Sequence, residues 1–122
     1  MIILNDKRFS DEKFCEVKNR IDIENSENNS TLLFQYNEDD INLYKFCQKN
    51  GVEFAVEITS ITEFIFIHNL GAKYAFCDDI ELAKNLQKIA DNYLSDTKVI
   101  VKAPLKKLEK IALLEIDGIF VI

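Results

Sequence analysis

The chain has 122 residues, a mass of 14.1 kDa and a net charge of −6, with 48% apolar and 30% charged residues. One domain, residues 1–122, accounts for that length, and the composition excludes a disordered chain. The acidic balance lacks the basic footprint that phosphate backbones require, so no nucleic-acid partner is expected.

No apolar run approaches the roughly 18 residues a membrane span needs, so no membrane partner is expected either. Residues 1–4, Met-Ile-Ile-Leu, are followed at once by Asn5 and Asp6, without the basic and long apolar regions of a secretory leader. Cys15, Cys47 and Cys77 form no paired motif, which argues against a disulfide framework and against zinc. A cytoplasmic protein with reduced, mostly buried thiols is the expectation. The first two-thirds of the chain is net acidic and the last third balanced. Five lysines fall between Lys98 and Lys110 and read as a solvated helix face.

Residues 1–4 suit a short first strand. Ser10 then suits the cap of a helix whose apolar positions Phe14, Val17 and Ile21 fall at helical spacing. Residues 24–30 are a polar loop too short to divide two domains. Residues 31–36 read as a strand. Asn37 caps a helix over 40–49, with Ile41, Tyr44 and Cys47 on one side. Residues 52–58 alternate, with Glu53 and Glu57 on one face, which predicts a half-exposed or edge strand. Ser60 and Glu63 have capping-box spacing and open a short helix, although 63–67 is a β-forming run that would also suit a hairpin strand. Residues 72–77 are a strand, and Asp78 or Asp79 caps the longest helix. Residues 98–102 are a strand, Pro104 suits a first helical turn, and Leu105, Leu108, Ile111 and Ala112 form the last apolar stripe. Residues 118–122 close as an apolar strand, a point at which a longer protein would continue into a loop and another helix.

All three glycines, Gly51, Gly71 and Gly118, stand where a helical segment turns into a strand. A left-handed residue ends a helix there. Alternating strands and helices imply crossover connections and a parallel sheet. The expected fold is α/β: a three-layer sandwich with a five- or six-stranded, mostly parallel sheet and helices on both faces, flavodoxin-like in topology.

In open parallel sheets ligands bind beyond the carboxyl ends of the strands. Asp6, Glu57, Cys77, Asp78 and Lys102 occupy such positions and are the ligand-binding candidates. Asn37, Ser60, Asp78 and Asp79 are also natural helix caps. Glu57 and Lys102 are not, and form either a structural ion pair or a functional one. An acidic rim with oxygen ligands would suit Mg²⁺, and no other cofactor is implied. There is no GxGxxG, P-loop or GxSxG segment, and His68 and Cys77 are not spaced as a nucleophile and its base.

Asn5-Asp6, Glu57 and Lys102-Ala103-Pro104 fall in the order seen in response-regulator receiver domains, which the chain resembles at this level. The resemblance implies a five-fold β/α fold with an acidic pair, a phosphoacceptor and a lysine. Glu57 stands where such domains carry the phosphoacceptor aspartate, one acid of the pair is missing, and Cys77 replaces the usual hydroxyl residue. The implication is a degenerate, receiver-like module without an intact phosphoacceptor site. A looser likeness is to β/α-barrel aldolases, carried by Val56-Glu57-Ile58-Thr59 and by 114–121. It implies a half-barrel with Lys102 as a candidate Schiff-base lysine.

The leading expectation is a non-enzymatic binding or regulatory module. The rival is a small enzyme or a cation- or small-molecule-binding protein using the strand ends. A helix over 63–67 would be apolar nearly all round, which predicts cover on both sides. Phe64, Ile65, Phe66 and Ile67 are therefore interface candidates for a homodimer or a protein partner.

Overall fold

In the computed structural model, which describes residues 1–122, seven strands alternate with five α-helices. The strands are β1 Ile2–Leu4, β2 Lys13–Glu16, β3 Ser30–Gln35, β4 Phe54–Glu57, β5 Tyr74–Cys77, β6 Lys98–Ala103 and β7 Gly118–Val121. The helices are α1 Arg20–Glu24, α2 Ile41–Lys49, α3 Ile61–Asn69, α4 Ile80–Asn92 and α5 Leu108–Leu113.

One local device repeats at four helix ends. Gly51, Gly71, Leu94 and Glu115 all have positive φ, at 66°, 82°, 51° and 58°. Beyond each, the next N–H reaches back to a carbonyl five residues earlier: Val52 to Cys47 at 2.9 Å, Ala72 to Ile67 at 3.1 Å, Ser95 to Ala90 at 2.8 Å and Ile116 to Ile111 at 3.4 Å. These are Schellman closures, which satisfy the last helical carbonyls and redirect the chain into the following strand. Two of the four use glycine. Gly118 does something else: it pairs with Ile2, and a Cβ there would lie 2.5 Å from the Ile2 carbonyl oxygen. It is glycine because β1 approaches too closely for a side chain.

All six strand pairings are parallel, in the order β1-β7-β6-β5-β4-β3-β2. From β3 onward each strand lies beside its predecessor in the chain. A flavodoxin-like order would put the first strand inside the sheet. Here β1 is one edge and β2 the other, and there are seven strands rather than five or six.

The two faces of the sheet are covered differently. Leu32, Phe34, Phe54, Val56, Val99, Val101 and Ile119 pack with Tyr44 and Cys47 of α2, Phe64 and Ile67 of α3, Leu86 of α4 and Ile111 of α5. The opposite face carries Leu4, Ala55, Tyr74, Phe76 and Ile100, joined by Phe14, Leu33 and Phe120, with no helical residue among them. Helices on both faces, the sequence expectation, are not what covers it.

The sheet covers that face itself. Phe14 on β2 has its ring centroid 5.3 Å from Phe76 and 5.8 Å from Phe120 on β7. In a flat sheet β2 and β7, five strand spacings apart, would be separated by about 24 Å. The sheet is therefore curled into a half-barrel, helices outside, with an edge strand's phenylalanine closing the hollow. At the amino-terminal end of the hollow, Glu12 accepts hydrogen bonds from Thr31 Oγ1 at 2.6 Å, Tyr74 OH at 2.6 Å and Lys73 Nζ at 3.0 Å.

The helix expected from Ser10 is not formed. Residues 13–16 are the edge strand, and the short α1 begins only after Asn19, whose side chain accepts from the Asp22 N–H. Val17 is buried and Ile21 is 66% exposed, so the apparent stripe never shared a face. The capping-box reading of 60–63 holds, and 63–67 is helical, within α3.

Candidate functional site

Alternation along β4 and β6 places the central pair. Ala55 and Ile100 point into the hollow, so Glu57 and Lys102, two residues on, point the same way one layer nearer the carboxyl ends. Although β5 lies between their strands, Lys102 Nζ donates directly to Glu57 Oε1. The Lys102 ammonium also lies 5.9 Å from the Phe120 ring centroid. Both charged side chains remain about one-third exposed, at 30% and 33%.

The pair borders a recess of about 250 Å³ at the mouth of the half-barrel. Phe76 contributes to its floor, and Gln35, Tyr36, Thr59, Glu63 and Asp78 contribute polar groups to its wall. Three carboxylates and one ammonium therefore surround it. Glu63 is already engaged: it accepts from the Thr59 N–H at 3.1 Å, Thr59 Oγ1 at 3.2 Å and Ser60 Oγ at 3.3 Å. Burial, reinforced by Glu38 and Glu63, holds the Tyr36 phenol above its ordinary range, so it stays a neutral donor.

The other sequence candidates divide. Asp78 stands exposed on the rim, while its neighbour Asp79 caps α4 by accepting the Glu81 N–H at 3.0 Å. Cys77 borders the recess, but its side chain belongs to the helix-covered cluster and its Sγ lies 3.7 Å from the Asp79 carbonyl oxygen. Burial pushes its thiol up to about 12, so it is no thiolate nucleophile at neutral pH. Asp6 stands apart from the recess. Its carboxylate pairs with Arg8 at 2.6 Å, and that hydrogen bond holds it down at about 2. No group of three or more His, Cys, Asp or Glu side chains is placed to hold a metal ion.

Of the four interface candidates on α3, Phe64 and Ile67 are core residues, 1% and 0% exposed. Ile65 and Phe66 face outward at 42% and 44%. Much of the apolar surplus of this helix is thus absorbed by its own sheet. No helix is long and apolar enough to cross a membrane.

Gln35 and Tyr36 were not singled out from sequence. The strand-end rule that selects Glu57 also reaches them, since Gln35 lies directly beside Glu57 in the β3–β4 register. No protein-family model matches the chain, and no curated protein matches it in sequence.

Proposed function

We propose that the protein is a non-enzymatic binding domain that takes up a small molecule rich in hydroxyl or amino groups in the recess at the strand ends. The observation that carries this reading is the Glu57–Lys102 pair. It joins two non-adjacent strands and opens onto a recess instead of being sealed in the core. A half-exposed ion pair adds little to stability, about 0–1 kcal/mol, so folding alone is a weak reason for building one there. Ligands of open parallel sheets bind at this end of the strands. The surplus of carboxylates disfavours anions and favours hydroxyl and ammonium donors, while Lys102 and Tyr36 supply donors in return.

Thermal unfolding in the presence of ribose and ethanolamine, with acetate and phosphate as the contrasting anions, tests this. A ligand at about 100 times its Kd stabilises by about 2.7 kcal/mol. For 122 residues that is a rise of roughly 10 °C in Tm. The expected result is a rise with a hydroxyl or amino compound that disappears in Lys102→Met and Glu57→Gln. A rise with the anions instead, or one that survives both substitutions, overturns the reading.

A further inference from the structure

A second cavity, also of about 250 Å³, lies on the outer side of the molecule between α3 and α4. Its walls are Phe64 and Ile65 from α3, Ile89 from α4 and Tyr93 just beyond the end of α4, with His68, Asn69 and Ser95 as its polar residues. Positions 64 and 68 lie one turn apart on α3, and 93, the residue that caps α4, lies one turn beyond 89, so the two rows face each other across the gap. The His68 imidazole is parallel to the Phe64 ring, at 9° with centroids 6.2 Å apart. This arrangement is independent of the strand-end recess.

The hydrogen bonds fix what the polar end offers. Ser95 Oγ accepts from the Thr97 N–H at 3.1 Å, which leaves its single proton to give. His68 Nδ1 lies 2.7 Å from the same oxygen and the Thr97 carbonyl oxygen 3.4 Å from it, so this hydrogen bond occupies Nδ1. Nε2 is then the ring nitrogen left for a ligand. No residue of the chain bonds that atom, and it is not buried without a partner. The pocket is thus largely apolar on its sides, with Asn69 also in its lining and one unpartnered ring nitrogen at its polar end.

We propose that this cavity binds one compact aromatic ring carrying a hydroxyl group, a molecule of the phenol class. An apolar cavity of about 150 Å³ takes up benzene, so this volume admits a single substituted ring and no helix or extended peptide. The ring would lie between Ile65 and Ile89, with its oxygen toward His68 Nε2. Few directed polar groups in an apolar pocket is the usual construction of small-ligand sites.

Titrating the ¹⁵N-labelled protein with phenol, with toluene as the analogue lacking oxygen, tests the proposal. Saturable shifts confined to 64–69 and 89–97, with toluene bound more weakly, are expected. His68→Leu keeps an apolar end but removes the ring nitrogen, and should weaken phenol about five- to tenfold while leaving toluene unchanged. Three results would overturn the proposal: no saturable shift in these segments, equal phenol affinity in His68→Leu, or shifts centred on Glu57 and Lys102. Sedimentation of the same sample supplies a further check. A dimer whose formation alone shifts the α3 resonances would mean that a second copy, not a small ring, covers this face.

Discussion

Replacing Gly118 by alanine probes the closest backbone approach in the sheet. A Cβ at this position would lie 2.5 Å from the Ile2 carbonyl oxygen, and 2.8 Å from both the Ile2 Cβ and the Ile100 Cδ1. The nearest of these is backbone and cannot swing away. Two responses are available. The strand can shift locally, at the cost of overpacking, about 1–3 kcal/mol. Alternatively β1 can peel from β7 and surrender Leu4, which is only 2% exposed. Burying a leucine side chain contributes about 1.5–3 kcal/mol. Both routes converge on about 2 kcal/mol, or roughly 8 °C in Tm at this chain length. Gly51→Ala is the control. A Cβ there meets nothing within 4 Å, and only its φ of 66° resists substitution. A left-handed alanine costs about 1 kcal/mol. Urea unfolding followed by circular dichroism should therefore rank Gly118→Ala clearly below Gly51→Ala. If Gly118→Ala costs no more than Gly51→Ala, β1 does not approach β7 as described, and the explanation of this glycine fails.

Leu94 closes α4 with a φ of 51° while 87% exposed, so its side chain contributes little to offset the strain. Leu94→Gly should raise Tm by about 2 °C, the relief of a left-handed residue less the added freedom of the unfolded chain; a fall in Tm would show that the side chain packs. Burial opposes ionisation of Glu12, but hydrogen bonds from Thr31, Tyr74 and Lys73 outweigh it and hold its carboxyl below the ordinary range. A depressed carboxylate stabilises the fold above its unfolded pKa, and that contribution fades as pH falls through the folded value. The stability gap between the protein and Glu12→Gln, measured by urea unfolding across the acid range, should therefore narrow as pH drops, and a gap independent of pH would contradict the network. Burial also pushes Cys47 up to about 11 and Cys77 up to about 12, whereas Cys15 is half-buried. Iodoacetamide on the native protein at neutral pH should label Cys15 first by peptide mass spectrometry; prompt labelling of Cys77 would contradict its place in the core.

The alternation of strands and helices was legible because short-range chemistry writes it. Ser60 with Glu63 opens α3, and Gly51 and Gly71 close α2 and α3 with the backbone geometry that glycine favours. The same closure at Leu94 and Glu115 left no such mark, since neither residue type advertises a left-handed conformation. The layering was harder to read. Ala55, Tyr74, Phe76 and Ile100 are apolar on the face that no helix covers, so β5 and β6 look like strands covered by helices on both sides, while Glu53 and Glu57 made β4 look half-exposed or an edge although it lies inside the sheet between β3 and β5. What covers them is Phe14, in a four-residue edge strand flanked by Lys13 and Glu16. Charged ends of this kind protect an edge but also disguise it. Within the site, position along a strand was enough to pick out Glu57 and Lys102. That they meet across β5 depends on the curl of the sheet, which no local pattern encodes. The breadth of the apolar run 63–67 suggested a subunit contact, whereas helical geometry sends Phe64 and Ile67 inward and leaves Ile65 and Phe66 outside.

The pairing of β1 with β7 has a consequence for the order of assembly. From β3 onward each new strand can dock on the one made just before it, so the sheet can grow as the polypeptide emerges. The first strand has no such neighbour. The contact between Asn5 and Val121 joins residues 116 positions apart, and Ile2 waits for Gly118. Synthesis proceeds at about 5–20 residues per second, so the earliest segment made spends several seconds without its partner. During that interval Phe120 is absent and the hollow lacks the wall that β7 and β1 provide. The sheet is therefore complete only when β7 captures β1, and its vulnerability to misassociation lies in that delay.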